Sequence, residues 1–402
     1  MKSDVVIIGA GHSGGMAAVL LRQNKFPGKI TIIGNEEFYP YQRPPLSKGF
    51  LSKKIKENSL YLKTQDYYSK NDIDCILGTT VSEIIKDKKY LILDNRKKIY
   101  YQKLIISTGS LLKKIEVTTE NKDLCYLRNI SDSRKLSSLI NTKDSIAIIG
   151  SGYIGLEIAA VAAEKGLEVN VIEITDHVMS RLKSREISEI LLKKHQDHGV
   201  NFYLKNCVLD ITRKNGKKII ITDKNRLEVD IVAVGIGINP NDILARDAGI
   251  KCTDGIIVDE NCLTSSEDIF AIGDCTNHFD YTYDRFLRLE SVHNAIEQAK
   301  AVARYISGNE QKSLQAPWFW TEQYNLKIQI VGLANNHDAS IIRGSIERES
   351  FTIFYFKERK LIASYFINTK KDFITARKLI EKRIDVPVNE FSKEDFNLKS
   401  LI

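Results

Sequence analysis

Short apolar runs alternate with alanine- and leucine-rich stretches along the first part of the chain, which predicts strands and helices in turn. Residues 4–9 (DVVIIG) read as a buried strand, residues 16–22 have helical composition, and residues 29–33 are again β-rich. A turn, Gly9-Ala10-Gly11-His12-Ser13-Gly14, joins the first strand to the helix, so the order is strand, turn, helix, strand. The same order recurs with a strand at 145–149, a turn Gly150-Ser151-Gly152-Tyr153-Ile154-Gly155, a helix at 156–165 stopped by Gly166, and a strand at 168–172. The copies lie about 140 residues apart and occur only twice, which marks a duplicated unit and not a solenoid. After each come short β-rich stretches, 74–85 and 90–93 in one case, 201–208 and 218–222 in the other. Each series leads to an apolar strand ending in glycine, 103–109 (KLIISTG) and 229–237 (VDIVAVGIG). Residues 269–274 predict a late strand and 291–306 a long helix. From Pro317 aromatic-rich β pattern dominates, at 350–356 and 361–367 about a turn at 357–360, before a last helix around 372–382.

These patterns predict an α/β chain with two Rossmann-like dinucleotide-binding domains and a smaller α+β C-terminal domain. The change of character at Pro317 sets the third domain at 317–402.

A GxGxxG turn between strand and helix has a physical use. Its first glycine (Gly9, Gly150) permits a tight turn, and its second (Gly11, Gly152) lets a pyrophosphate approach the backbone. Its third (Gly14, Gly155) lets helix pack on strand. The helix N-terminus, with Ser13 in one copy and Tyr153 and Ile154 in the other, turns its N–H groups and positive dipole end toward phosphate. The end of the next strand discriminates nucleotides. Glu173, 23 residues after Gly150, can accept hydrogen bonds from ribose hydroxyls and repel a 2′-phosphate, which favours NADH over NADPH. An ordinary strand-end glutamate is the competing reading. In the first copy the strand ends Gly34-Asn35-Glu36; Asn35 accepts a hydrogen bond without charge, and Glu36 or Glu37 can contribute instead.

Length and composition narrow the class. A chain of 402 residues suits two or three domains, and 43% hydrophobic with 27% charged residues is the mix of a globular protein. No apolar run approaches the roughly 18–20 residues of a membrane span, and the N-terminus enters a strand directly, so a cytoplasmic location is expected. Six cysteines have no CxxC or paired spacing, which argues for reduced thiols and against a metal cage; no metal is expected. The formal charge of +8, from 59 basic and 51 acidic residues, is spread along the sequence as in a lysine-rich solvated surface. A basic docking face for an acidic partner is the sharper reading, and nucleic-acid binding ranks third because no motif accompanies the charge.

Beyond these loops, the stretch Tyr39-Pro40-Tyr41-Gln42-Arg43-Pro44-Pro45-Leu46-Ser47-Lys48 resembles the signature of the oxygenase-coupled NADH:ferredoxin reductases. That group is putidaredoxin-reductase-like and belongs to the FAD-dependent pyridine nucleotide-disulphide oxidoreductase superfamily. Blocks at 150–157 (GSGYIGLE), 232–241 (VAVGIGINPN), 273–275 (GDC), 288–298 (RLESVHNAIEQ) and 316–324 (APWFWTEQY) are similar in the same order, covering nearly the whole chain. The resemblance implies a glutathione-reductase-like arrangement with FAD in a discontinuous domain, 1–113 and 239–316, and NADH in the next, 114–238, ahead of the third at 317–402. It implies FAD pyrophosphate at Gly9, Gly11, Ser13 and Gly14, with Thr108 and Gly109 in the same domain and Asn35 or Glu36 at the ribose. Arg43 and Lys48 bracket FAD, Val81 and Arg128 border the adenine and isoalloxazine, Asp274 holds the ribityl chain, and Val292 lies at the flavin pyrimidine. Gly150, Gly152, Tyr153, Ile154, Gly155, Glu173 and Gly235 are assigned to the nicotinamide nucleotide. Family members usually carry an acid where this chain has Asn35.

Lys48, Glu157 and Trp320 are the candidate catalytic residues. A buried Lys48 would stabilise the anionic character of reduced flavin, and Glu157 is placed to pair with it and border the nicotinamide. Trp320 resembles the aromatic at the flavin edge. The plain alternatives are a first-turn acid favouring the helix dipole for Glu157 and a core aromatic for Trp320.

The implied activity passes electrons from NADH through flavin to an acidic 2Fe-2S ferredoxin that feeds an oxygenase, either a haem monooxygenase or a ring-hydroxylating dioxygenase, with the protein a monomer or weak dimer. Lys53, Lys300 and Arg304 are the candidate docking cations. Rubredoxin reduction is an alternative, as is a redox and nucleic-acid-binding protein like apoptosis-inducing factor. Disulfide reduction needs a redox thiol in the first unit, and residues 5–74 contain no cysteine.

Overall fold

Val5, Val6, Ile7 and Ile8 are buried in succession, the mark of a parallel strand covered on both faces. That strand, Lys2–Ile8, sits centrally in a sheet ordered Ile73–Ile76, Ile30–Ile33, Lys2–Ile8, Lys98–Ile106, Tyr90–Leu93, Val81–Ile85. Ile269–Ala271 pairs in parallel with Lys98–Ile106. The central pairings are parallel, whereas Val81–Ile85, Tyr90–Leu93 and Lys98–Ile106 form an antiparallel meander. Helices His12–Gln23 and Val292–Ile306 pack together, and Ala17, Ala18, Leu21, Ala299, Val302 and Ala303 join one core.

The computed structural model describes residues 1–118, 123–309 and 315–402. They fall into two units: a first of Met1–Gln42, Asn58–Leu111 and Asn239–Phe319, and a second of Arg43–Glu57, Leu112–Ile238 and Trp320–Ile402. The second unit repeats the parallel grammar in the order Val200–Leu204, Glu168–Glu173, Ser145–Ile149, Ile231–Val234, Cys125–Tyr126. It also carries a three-stranded antiparallel sheet, Val208–Lys214, Lys217–Thr222 and Arg226–Val229. A five-stranded sheet runs Trp318–Gln323, Leu326–Gly332, Lys360–Ile367, Ser350–Lys357, Ala339–Ser345, with helix Phe373–Lys382 against it. The expected α/β class with duplicated units and a C-terminal α+β region is the fold observed.

Among the described residues, no helix is long and apolar enough to cross a membrane, and no His, Cys, Asp and Glu cluster could hold a metal ion.

Candidate functional site

In each parallel sheet the conspicuous residues gather at the carboxyl ends of the strands, where open α/β sheets bind nucleotides. In the first unit the Gly9 turn follows Lys2–Ile8, Asn35 follows Ile30–Ile33, Thr108 and Gly109 follow Lys98–Ile106, and Asp274 follows Ile269–Ala271. The loop is drawn tight by the Gly9 N–H donating to the Ile33 carbonyl at 2.7 Å and the Ser107 N–H donating to the Ile8 carbonyl at 2.8 Å. Gly9 has φ +109°, and a Cβ there would stand 2.2 Å from the Ser107 carbonyl oxygen; one on Gly14 would stand 2.1 Å from that of Gly9. A Cβ on Gly11 would meet nothing within 4 Å. The first and third glycines are therefore demanded by the protein's own packing, and the second faces the space a pyrophosphate needs.

Helix His12–Gln23 begins at Gly11 with no side-chain cap and no acid in its first turn. Helices Ile130–Ile140, Arg185–Asp197 and Val292–Ile306, by contrast, are capped by Asn129, Ser184 and Ser291. An uncapped, acid-free start suits an anion. Ser13 is buried, and a Cβ on Gly273 would lie 2.7 Å from its hydroxyl oxygen. The Ser110 hydroxyl donates to Asp274 at 3.1 Å, and that of Thr108 to the Asn241 carbonyl at 2.5 Å. Gly109 has φ +69° and its carbonyl accepts from the Asn241 N–H at 2.9 Å. Val81 is buried at the start of its strand, and Val292 is the first residue of its helix. Asn35 is exposed, while Glu36 accepts the Tyr41 hydroxyl at 2.6 Å.

The second unit reproduces the loop. The Gly150 N–H donates to Ile172 and the Gly235 N–H to Ile149, both at 2.8 Å. Gly150, at φ +99°, would place a Cβ 2.5 Å from the Gly235 carbonyl oxygen, and Gly155 one 2.0 Å from that of Gly150; Gly152 again faces open space. Tyr153 and Ile154 open the uncapped helix Tyr153–Glu164. Glu173 is engaged on both oxygens. One accepts the Ser151 N–H and hydroxyl at 2.8 and 2.7 Å, the other the Thr175 N–H and hydroxyl, both at 2.9 Å. Burial pushes this carboxyl up, but the hydrogen bonds from Thr175 and Ser151 outweigh it and hold it below the ordinary carboxylate range.

A buried polar cluster lies elsewhere in the second unit. Arg43-Pro44-Pro45-Leu46-Ser47-Lys48 turns through a 3-10 helix, Pro44–Ser47, whose two prolines suit its first positions. Lys48 Nζ sits 2.8 Å from Glu157 Oε1, with side chains 19% and 2% exposed. Ser47 donates to Glu157 Oε2 at 2.5 Å and Thr321 to Oε1 at 2.6 Å. Glu157 thus has three donors, and the expected pairing with Lys48 is what the geometry displays. Stranding either charge by removing its partner would cost about 3–5 kcal/mol. Arg43 donates to the Arg128 carbonyl at 2.5 Å. Trp320, partly buried, precedes Thr321 on its strand, so by strand alternation the two side chains point to opposite faces.

Sequence reasoning missed several supporting residues. Ser107 donates through its hydroxyl to the Ile8 carbonyl at 2.8 Å. Gln298 accepts the Gly273 N–H at 2.6 Å and donates to Thr276 at 2.9 Å. Both lie within blocks the sequence singled out, but Ser107 bonds a residue 99 positions away and Gln298 one 25 positions away, and no local pattern announces such partners. Of the docking cations, Lys300 is paired with Glu297 at 2.7 Å on its own helix. All six cysteines are free thiols. Cys275 is fully buried, and burial pushes it up to about 11, far from a reactive thiolate.

A family model of the pyridine nucleotide-disulphide oxidoreductases matches residues 3–299, and one of the reductase C-terminal domain matches residues 318–402. Rhodocoxin reductase of Rhodococcus erythropolis is 36% identical, over 99% of this chain and 94% of its own. Putidaredoxin reductase of Pseudomonas putida is 32% identical, over 100% and 97%. The structure of a covalent putidaredoxin reductase–putidaredoxin complex superposes with a TM-score of 0.95 at 32% identity, covering 99% of this chain and 98% of that one. The two glycine cradles fit the FAD and NADH that this fold employs. With its duplicated glycine loops and this end-to-end likeness, the chain belongs to the pyridine nucleotide-disulphide oxidoreductase family and carries the family's reductase C-terminal domain.

Proposed function

We propose that this chain passes electrons from NADH through FAD to a 2Fe-2S ferredoxin that serves an oxygenase. The observation carrying this reading is the pair of glycine cradles with opposite strand-end chemistry, in a chain similar from end to end to putidaredoxin reductase. FAD supplies hydride acceptance from NADH and one-electron release to the acceptor. The chain's own residues bind and orient. Gly9, Gly11, Ser13 and Gly14 receive one pyrophosphate, with Thr108, Gly109 and Asp274 on neighbouring strand ends. Gly150, Gly152, Tyr153, Ile154, Gly155 and Gly235 receive the other, and Glu173 accepts the ribose hydroxyls in place of the Ser151 and Thr175 hydroxyls that it holds in this structure. Arg43, Val81, Arg128, Val292 and Trp320 complete the flavin's contacts in this proposal, as the resemblance implies. Lys48, steadied by Glu157 at 2.8 Å, offers positive charge toward the reduced flavin.

Disulfide reduction is disfavoured by the inert thiols: burial pushes Cys75 up to about 12 and Cys252 to about 11. The domain boundaries 1–113 with 239–316, 114–238 and 317–402 remain our proposal for the functional division of the chain. The test is anaerobic reduction of the yellow protein by NADH and by NADPH, followed by titration with 2Fe-2S ferredoxins and with rubredoxin. A colourless protein, or one reduced faster by NADPH, overturns the reading. Transfer to rubredoxin alone would move it to the rubredoxin reductases.

A further inference from the structure

Glu157 is the end of a longer chain of polar groups, all in the second unit and buried except for the half-buried Tyr324 at its far end. Thr321 donates to Glu157 Oε1 at 2.6 Å, and Gln323 Nε2 donates to Thr321 Oγ1 at 3.2 Å. His195 Nε2 lies 2.8 Å from Gln323 Oε1, and the Tyr324 hydroxyl 3.2 Å from His195 Nδ1. His195 and Thr321 are 0% exposed, Gln323 1% and Glu157 3%. The direction of every bond follows from the carboxylate. An ionised carboxylate only accepts, so Thr321 spends its proton on Glu157 and must accept from the Gln323 amide. The amide oxygen that remains only accepts, so His195 carries its proton on Nε2 and takes the Tyr324 proton at Nδ1. Burial pushes His195 down to about 4, which keeps the ring neutral as this pattern requires. Four donors therefore point one way, and such chains polarise one another in a low-dielectric interior.

We propose that Thr321, Gln323 and His195 are positioning residues that aim the Glu157 carboxylate at Lys48. The proposal deepens the function above, since it rests on Lys48 acting toward the flavin. Strand alternation explains the construction: Thr321 and Gln323 are two residues apart on Trp318–Gln323, so both face Glu157 and His195 while Trp320 faces away. Helix Arg185–Asp197 supplies His195 from its last turn.

The test compares Thr321→Val, which keeps the shape and removes the hydroxyl, with Thr321→Ser, which restores it. Two quantities are read on the FAD-loaded protein: the rate at which acetic anhydride labels Lys48, by mass spectrometry, and the rate constant for flavin reduction by NADH. In Thr321→Val, Lys48 labelling should rise about fivefold and flavin reduction should slow about tenfold, the equivalent of one hydrogen bond to a charged group, with the NADH KM unchanged. Thr321→Ser should return both to wild type. Labelling unchanged in Thr321→Val, or equal damage in both variants, overturns the proposal. Wild-type protein that NADH does not reduce would sink the functional reading instead, and the labelling ratio would still decide the chain. If Thr321→Val does not fold, nitrogen NMR of the wild type decides: His195 as the Nε2–H tautomer supports the one-way chain, and the Nδ1–H tautomer overturns it.

Discussion

The two glycine loops share a backbone and differ at the strand that follows. In both, the first glycine has positive φ (+109° and +99°), the third would place a Cβ about 2 Å from the first one's carbonyl oxygen, and the second faces open space. The loop is thus set by the need to bring a helix N-terminus against a strand end, whatever the nucleotide. The strand ends diverge: Asn35 is exposed and uncharged, whereas Glu173 is held by four donors from Ser151 and Thr175. In the proposed function, nucleotide identity is accordingly carried outside the glycine turn itself.

The sharpest way to break this comparison is to fill the third glycines. Gly14→Ala drives a methyl into the Gly9 carbonyl, at a cost near 3 kcal/mol because backbone cannot step aside, and should yield protein without flavin colour. Gly155→Ala meets the Gly150 carbonyl and should keep the yellow colour while NADH no longer reduces it. Absorbance at purification and after NADH addition checks both, and the reverse pattern would show that the two loops are assigned the wrong way round.

Filling the second glycines separates ligand from fold. Gly11→Ala and Gly152→Ala should leave the melting temperature within the small range of a surface change, since the added Cβ meets no protein atom. Each should weaken its own cofactor, FAD in one case and NADH in the other, by roughly tenfold or more, read by fluorescence titration. A fall in stability without a fall in affinity would contradict the cradle.

Glu173→Ala should cost about 2 kcal/mol, roughly 30-fold in kcat/KM for NADH, and narrow the preference over NADPH with FAD still bound. Its acid dependence has a definite sign. The folded carboxyl sits below its ordinary value of about 4.3, so its contribution is complete above that pH and is lost as pH falls through the lower folded value. Glu173→Ala should remove that part of the acid limb from an unfolding-versus-pH profile.

The smallest effect is expected from Asn35→Asp, which gives the first strand end the acid of the second. It should tighten FAD by about 1 kcal/mol, roughly fivefold, measured by FAD release in mild denaturant. Unchanged affinity would show that Glu36, already bonded to Tyr41 at 2.6 Å, holds the ribose without help.

Much of this was legible in sequence because it is local. A GxGxxG turn, the strand before it and the acid 23 residues on lie within one strand–helix–strand segment, where periodicities of 2 and 3.6 and the conformational demands of glycine are enough to read them. Free thiols without disulfides follow from the cysteine spacing, and the pairing of Lys48 with Glu157 from the place of Glu157 just past the second glycine loop. What encloses Glu157 was not legible. Ser47, Thr321, Gln323 and His195 come from a 3-10 turn, a strand and a helix, and Thr321 stands 164 residues from the carboxylate it bonds. Nor does any local pattern say that residues 43–57 and 320–402 pack with 112–238.

By itself, then, the sequence determined the two glycine loops and their strand-end residues, because short-range backbone geometry dictates them, and its lack of cysteine across residues 5–74 settled that no redox thiol stands there. Only the tertiary structure decided which neutral polar side chains converge on Glu157 and in which direction their hydrogen bonds run. A buried carboxylate must be satisfied, and its donors are recruited by proximity in space, for which the order of residues along the chain holds no periodic signal.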